Sequence, residues 1–406
     1  MTLHSRLLDA CKSIDSALGV PLARALASPP RPLPEDPHDV LCLRLWGLGN
    51  LVLLGPLFAL AAERRVRLLT LARHADFMRR HFPLVELLPL PEPPSLALPA
   101  ALARVRRDVA RDPPQVLIDC EQFLRLPALL LRTACDAPLV GMDTPGQGRA
   151  PLLDRAVRYD STRHVADTFA ALVRAAGLPV PAAAALRAPL ADREALAVRL
   201  RRAGLLVGRA DRPLVVLHAG SGDHFPGRRW PPERFAALAD ALTGSCGAQV
   251  LLTGVRSEEP LVASVVAHAR RPVTNLCGAL DASALVALLA MSDLLVANDT
   301  GPVHLADALG TPTVALYGPN TPHRYGPRGP RSRALYADLP CSPCLDDRTM
   351  KRSSCRHHVC MLALPVQDAA AAARALLAAG RVAAEPASAP RALPAPAPEV
   401  RDARTP

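Results

Sequence analysis

The feature that most constrains the fold is an alternation of strand-like and helix-like segments that runs through the chain twice. Short apolar runs such as Val40 to Leu45 and Val116 to Asp119 are followed by segments with helical periodicity. This alternation is typical of a parallel sheet with helices on both faces. It pauses near Leu178 and restarts at Leu214, so we predict an α/β protein with two Rossmann-like domains facing a cleft. Residues 83–99 are rich in Pro and are predicted to form a loop.

The same pattern sets the predicted domain boundaries. We expect a helix and connector at 1–37, a first domain at 38–180, a linker and helix at 181–212, and a second domain at 213–383. A chain of 406 residues is long enough for two domains of ordinary size. Residues 384–406 are rich in Pro and Ala, so we predict a disordered tail.

Composition and charge disfavour several classes of protein. Hydrophobic residues make up 50% of the chain and charged residues 21%, which is the balance of a folded protein. No run reaches the ~18–20 apolar residues that a membrane span needs, and charges interrupt the N-terminus where a signal peptide would be apolar. The net charge of +11 suits anionic lipid or phosphorylated substrates, while nucleic acid is disfavoured because no binding module or stacking aromatics are visible. We therefore expect a cytoplasmic protein.

The most informative motif is the segment Asn298 to Ala306, with the sequence NDTGPVHLA. It follows an apolar strand and opens a helix, whose free N–H groups and positive dipole end favour a phosphate. The candidate ligand-binding residues in it are Asp299, Thr300, Gly301, Pro302 and His304. The alternative is an ordinary βα turn with a capping Asp or Thr and a packed His.

Further motifs accompany this segment in a fixed order. A strand ends in the turn Gly220-Ser221, and Arg228 lies two residues before Trp230-Pro231. Together with Gly310-Thr311-Pro312 and the motif above, this series resembles the C-terminal half of glycosyltransferase family 9, the heptosyltransferase family. The match covers about Leu214 to Pro330, and the first half matches more loosely through LRLWGLGNLVLLGPL and LIDCEQFLR.

The resemblance implies a GT-B fold, with the acceptor on the N-terminal side and a nucleotide-sugar donor on the C-terminal side. It implies an inverting transfer that requires no cofactor, from ADP-heptose to a cell-envelope glycan such as lipopolysaccharide core. The donor-binding residues carried over by position are Gly220, Ser221, Arg228, Asp299, Thr300, Gly301, Pro302 and His304. Gly220 and Ser221 would approach the phosphates through backbone amides, and Arg228 would neutralise the leaving diphosphate.

The resemblance also suggests a location in the cell, and it leaves alternative functions open. It favours peripheral contact with the cytoplasmic face of the inner membrane, where anionic headgroups would meet a basic surface. A non-catalytic sugar-nucleotide binding protein and a GT-B-like sugar-nucleotide epimerase are the alternatives. Glu258 is a weaker candidate for the nucleoside, and we interpret it as a solvated carboxylate at a helix start.

One position departs from the pattern of that family. Many heptosyltransferases have Gly-Asp at the end of the first strand, where the Asp is thought to deprotonate the acceptor, but here the pair is Gly49-Asn50. An amide can position a hydroxyl but cannot accept its proton at useful pH. We expect Glu121 or Asp119 to replace it as the base, with Asp143 as a weaker third candidate. The alternative is that Asp119 caps the following helix and Glu121 is a solvated acid.

Four of the ten Cys form a cluster near the C-terminus, at Cys341, Cys344, Cys355 and Cys360. Four thiolates at such spacing can close a tetrahedral site, so we expect a structural zinc ion. Free thiols or a disulfide are the alternatives, and a cytosolic location disfavours a stable disulfide.

Overall fold

The fold is described from a computed structural model. The structure describes residues 15, 19–93, 95–184, 186–205, 212–222, 225–345 and 353–384. Residues 1–14, in the predicted N-terminal helix, and residues 385–406, in the predicted disordered tail, lie outside the described residues. Within the part that is described, no helix is both long and apolar enough to cross a membrane.

The first lobe is built on a parallel sheet. Its strands are β1 (Asp39–Leu43), β2 (Arg65–Leu71), β3 (Glu86–Leu90), β4 (Val116–Asp119), β5 (Leu139–Asp143) and β6 (Arg155–Arg158). Its helices are α1 (Leu48–Leu53), α2 (Gly55–Ala59), α3 (Ala75–His81), α4 (Leu98–Arg111), α5 (Leu126–Ala134) and α6 (Val165–Ala175). The strand order is β3-β2-β1-β4-β5-β6, so the order reverses between β1 and β4. Ligands of open parallel sheets bind beyond the carboxyl ends of the strands at such a switch point.

The second lobe repeats this architecture. Its strands are β7 (Leu214–His218), β8 (Gln249–Thr253), β9 (Thr274–Asn275), β10 (Leu294–Asn298), β11 (Thr313–Tyr317) and β12 (Ser332–Tyr336). Its helices are α7 (Leu190–Arg202), α8 (Pro232–Cys246), α9 (Glu259–His268), α10 (Ala282–Ala290), α11 (Gly301–Leu309), α12 (Pro322–Tyr325), α13 (Val359–Leu362) and α14 (Val366–Ala384). The order β12-β11-β10-β7-β8-β9 places a second switch point between β7 and β10.

Helices cover both faces of the central strands, so these strands are mostly apolar and largely buried. In the second lobe the largest buried side chain is Trp230, whose ring packs edge-to-face on Phe235 at 5.2 Å. The indole N–H of Trp230 donates to the Leu364 carbonyl at 3.0 Å, and its backbone N–H donates to Asn298 Oδ1 at 3.0 Å. Asn298 therefore ties the end of β10 to the core instead of facing a ligand.

The predicted two-lobed α/β architecture is confirmed, with corrections at the edges of the two sheets. The segment 83–99 is not only a loop, because it contains β3 and the start of α4. Strand β3 pairs with β2 along one side and is an edge strand. Pro89 is tolerated there because an edge strand need not donate a ladder hydrogen bond from every residue.

Candidate functional site

A cavity of about 1060 Å³ lies between the two lobes. The first lobe lines it with residues that follow β1 and β4, and the second lobe with residues that follow β7, β8 and β10. Both switch points therefore face the same space. This is where two open parallel sheets would together hold a ligand.

The segment at the start of α11 forms one wall of the cavity. Its residues Asp299, Thr300, Gly301, Pro302 and His304 all line the space, as the motif predicts. Thr300 is the N-cap residue, with extended backbone angles, but its side chain accepts no capping hydrogen bond. The helix N-terminus is therefore open to an anion, which its dipole attracts.

Arg228 places a positive charge on the same wall. Its Nη1 donates to the Asp299 carbonyl at 3.0 Å, and its Nη2 donates to the Ser221 carbonyl at 2.5 Å. Arg228 Nη1 also lies 3.6 Å from Asp299 Oδ2, and Asp299 Oδ2 accepts from Asn320 Nδ2 at 2.9 Å. These contacts fix the guanidinium beside the open helix terminus, where a diphosphate would find both a cation and amide donors.

The Gly220-Ser221 turn does not have the predicted role. Neither residue lines the cavity, and the N–H groups of Ser221 and Gly222 donate to Glu258 Oε1 at 3.0 and 2.9 Å. A Cβ atom at Gly220 would overlap the Glu258 carboxylate. The glycine is therefore required by the packing of Glu258, and the Ser221 amide, which was predicted to approach the phosphates, is bonded to Glu258 instead.

Glu258 is not a solvated carboxylate, so this interpretation is also wrong. Its side chain is only 1% exposed, and its Oε2 accepts from the Val255 N–H at 3.0 Å. Three backbone donors offset the desolvation of the carboxylate. The same Oε2 lies 3.9 Å from His218 Nε2, and burial lowers the pKa of His218. Both side chains line the cavity, and Glu258 joins the loops that follow β7 and β8.

The Gly49-Asn50 pair of the first lobe lies against the start of α11. A Cβ atom at Gly49 would lie 2.7 Å from His304 Cδ2 and 3.1 Å from Gly301 Cα, so a larger residue would push the lobes apart. Asn50 lines the cavity in the first turn of α1. Asn50 therefore lies where the two lobes meet, next to the cavity wall that the start of α11 forms.

Asp119 cannot serve as the base, and this prediction is wrong. It is fully buried, does not line the cavity, and forms a salt bridge at 2.5 Å with the fully buried Arg149. Burial raises the pKa of Asp119 to about 6, although Arg149 acts in the opposite direction. The alternative role as a helix cap is wrong as well, because α5 begins only at Leu126 and Asp119 accepts from the Glu121 N–H at 2.9 Å.

Glu121 lines the cavity, and it is a buried side chain rather than a solvated acid. Its Oε1 accepts from the N–H groups of Leu45 and Trp46 at 2.7 and 3.2 Å. Its Oε2 lies 3.2 Å from Arg44 Nη1. A carboxylate offers about four lone-pair sites. The two N–H groups use those of Oε1 and Arg44 uses one of Oε2, so one site on Oε2 remains for a hydroxyl. Asp143, the third candidate, does not line the cavity.

The Cys cluster belongs to a segment that reaches the cavity. Leu345 lines the cavity, and the N–H groups of Cys344 and Leu345 both donate to the Pro319 carbonyl at 2.9 Å. The four thiols of the cluster are not joined in disulfides. Among the described residues, which exclude 346–352, no group of three or more His, Cys, Asp or Glu is arranged to hold a metal ion.

Several cavity residues were missed by the sequence analysis. They are Arg44, Gln122, Asn320 and Tyr325. Asn320 offered a usable signal, because it comes shortly after β11 and the carboxyl ends of parallel strands meet at one edge. Gln122 offered the same signal, because it comes shortly after β4. Tyr325 offered none, since its contact with Gln122 joins residues about half the chain apart.

Comparison with known proteins supports the similarity noted in the sequence. The family model for glycosyltransferase family 9 (heptosyltransferase) matches residues 103–353. The chain is 32% identical over 130 residues to lipopolysaccharide heptosyltransferase 2 of Salmonella typhimurium, an alignment that covers 31% of this chain and 37% of that relative. The chain spans less than half the length of the first curated relatives it matches.

Solved structures show the same two-lobed fold over most of the chain. A family 9 glycosyltransferase from Veillonella parvula superposes with a TM-score of 0.70 at 22% identity, covering 86% of this chain and 99% of that one. The ADP-heptose lipopolysaccharide heptosyltransferase II of Escherichia coli superposes with a TM-score of 0.66 at 20% identity, covering 84% and 99%. These superpositions confirm the GT-B fold. Because the family model matches well over half of the sequence, the chain belongs to glycosyltransferase family 9.

Proposed function

We propose that the protein is an inverting glycosyltransferase. It transfers a sugar from a nucleotide-diphosphate donor to a hydroxyl of a cell-envelope glycan such as lipopolysaccharide core. The observation that carries this proposal is the pairing of an open helix terminus and Arg228 on one wall of the cavity with Asn50 and Glu121 on the other. A donor and an acceptor can therefore meet between the lobes.

The second lobe supplies the donor side of the reaction. As the bond between the anomeric carbon and the diphosphate breaks, negative charge grows on the leaving oxygen. Arg228 and the N-terminus of α11 are already fixed at this wall, so they stabilise that charge with little reorganisation. Membership of the heptosyltransferase family favours ADP-heptose as the donor.

The first lobe supplies the acceptor side. The acceptor hydroxyl attacks the anomeric carbon from the face opposite the diphosphate, so the configuration inverts. Asn50 positions this hydroxyl, and Glu121 Oε2 accepts its proton as the new glycosidic bond forms. The net charge of +11 would attract the protein to anionic headgroups at the cytoplasmic face of the inner membrane, where the acceptor is expected.

Product analysis tests this function directly. The protein is incubated with ADP-heptose and lipopolysaccharides truncated within the core, and the anomeric configuration of any new linkage is determined by NMR. We expect one new linkage with a configuration opposite to that of the donor. Donor binding without product would favour the alternative of a non-catalytic binding protein. Asn50 is consistent with that alternative because an amide cannot accept the proton of the acceptor.

The His304→Ala substitution is expected to weaken donor binding by ~1–3 kcal/mol, the usual loss when a charged ligand loses a polar partner. His304 lines the cavity one turn into α11, close to the proposed diphosphate position. Isothermal titration calorimetry with ADP-heptose measures the change. The matched control is His268→Ala at the exposed end of α9, which should bind the donor as the wild type does. Unchanged affinity in folded His304→Ala protein would remove this residue from the donor site.

We also propose that Cys341, Cys344, Cys355 and Cys360 together bind one metal ion per chain. Their side chains are not grouped for a metal ion among the described residues, so binding would draw them together. Four thiolates form a donor set that suits zinc in a structural site. Elemental analysis of reduced protein purified without chelator should find about one equivalent, and Cys341→Ser should lose it. Cys246→Ser, outside the cluster, is the control and should retain it. Four freely titrating thiols without stoichiometric zinc or iron would contradict the proposal.

A further inference from the structure

Gln122 carries an unused hydrogen-bond donor at the cavity. It lies at the end of β4, lines the cavity and is only 1% exposed. Its Oε1 accepts from the Tyr325 hydroxyl at 3.4 Å. Within the described part of the chain, Gln122 Nε2 has no hydrogen-bond partner. Leaving a buried donor unpaired costs ~1–3 kcal/mol, so such a group calls for an explanation.

The carboxamide is held in place from both lobes. The Thr144 hydroxyl of the first lobe donates to the Gln122 carbonyl, which fixes the backbone. Tyr325 belongs to the second lobe, and its own carbonyl accepts from the buried Tyr317 hydroxyl at 2.7 Å. The side chain therefore has a fixed position before any ligand binds, and its Nε2 remains available to one.

The chemistry of the group indicates what it would bind. A carboxamide N–H is a neutral donor, which suits the hydroxyl and ring oxygens of a sugar. The proposed diphosphate position already has a cation in Arg228, on the other lobe. Gln122 directly follows Glu121, the candidate proton acceptor on the acceptor side.

From these observations we infer that Gln122 is a positioning residue for the acceptor. Its Nε2 donates to an oxygen of the acceptor sugar, and this contact satisfies the buried amide only when the acceptor is bound. The inference rests on the proposed function and adds to it a residue that recognises the acceptor.

The Gln122→Met substitution tests this role because it keeps the length of the side chain and removes both polar atoms. We expect the KM for core-truncated lipopolysaccharide to rise about tenfold, the effect of losing one hydrogen bond of ordinary strength, with the affinity for ADP-heptose unchanged. The matched control is Gln115→Met, the same substitution at an exposed Gln before β4 that does not line the cavity. Its acceptor KM should stay within about threefold of the wild type.

The melting temperature of the ligand-free protein gives a readout that does not depend on activity. Because Gln122→Met also removes the contact between Oε1 and the Tyr325 hydroxyl, the comparison is made in a Tyr325→Phe background. In that background, adding Gln122→Met removes only unpaired polar atoms of Gln122 and should leave the melting temperature equal or higher. A clear fall on adding Gln122→Met to Tyr325→Phe would show that Nε2 is paired within the fold, and it would overturn the inference. An unchanged acceptor KM in Gln122→Met, or an equal rise in the Gln115→Met control, would also overturn it.

Failure of the proposed function is distinguishable from failure of this inference. If the wild type forms no product, the transferase proposal fails. The binding of core-truncated lipopolysaccharide is then measured by calorimetry for the wild type and Gln122→Met. About tenfold weaker binding in the variant would support the contact, and equal or absent binding would overturn it.

Discussion

Glu121→Gln is expected to lower the rate of sugar transfer by ~10²–10⁴-fold, the usual range for losing a general base, with donor affinity nearly unchanged. The Gln carbonyl oxygen can still accept from the N–H groups of Leu45 and Trp46, so the loop after β1 should keep its position. What the variant loses is the second carboxylate oxygen, which faces Arg44 and the cavity. Initial rates at saturating donor, with calorimetry for donor affinity, measure the two effects separately.

Two further results decide how this experiment is interpreted. Glu121→Gln also removes the counter-charge of the buried Arg44, so the melting temperature is measured and the rates are compared at a temperature where both proteins are folded. Wild-type rates in Glu121→Gln would exclude Glu121 as the base. If Asn50→Asp then raised the rate strongly, the protein would be a family member weakened at its original base position.

Asp119→Ala is expected to lower the free energy of unfolding by ~3–5 kcal/mol, because it leaves the buried guanidinium of Arg149 without its counter-charge. The two side chains are fully buried and 2.5 Å apart. Urea denaturation measures the loss. The control is Asp76→Ala, which breaks an exposed ion pair with Arg79 and should cost less than ~1 kcal/mol.

The double variant Asp119→Leu/Arg149→Met separates an unpaired charge from a general loss of packing. With both charges replaced by apolar side chains, much of the lost stability should return, since a buried pair often adds little over apolar packing. A loss below ~1 kcal/mol in Asp119→Ala would contradict the assignment of Asp119 to a structural ion pair.

The sequence predicts the central strands well and the edge strands poorly. A strand such as β7 is buried on both faces, so it is a continuous apolar run that needs no context to recognise. The strands that were missed, β3, β6, β9 and β12, are the four edges of the two sheets. Edge strands are short or polar, and β3 contains a Pro, because one of their sides faces solvent instead of a neighbouring strand.

The same distinction between local and distant information applies to the site. Residues Asp299 to His304 were found at the cavity because a motif at the carboxyl end of a parallel strand must lie at the cleft. Asp119 and Glu258 were misinterpreted because one partner of each carboxylate lies 30 or more residues away in sequence. No local pattern shows that Arg149 would occupy one carboxylate, or that the Ser221 amide would donate to the other.

Acceptor-dependent release of ADP tests the proposed transfer most directly. Wild-type protein is given ADP-heptose with and without core-truncated lipopolysaccharide, and free ADP is followed over time. We expect ADP release to be rapid only when the acceptor is present, and to be slowed ~10²–10⁴-fold in Glu121→Gln. No release with any truncated acceptor, or equal release with and without acceptor, would contradict the assignment of this cleft to glycosyl transfer.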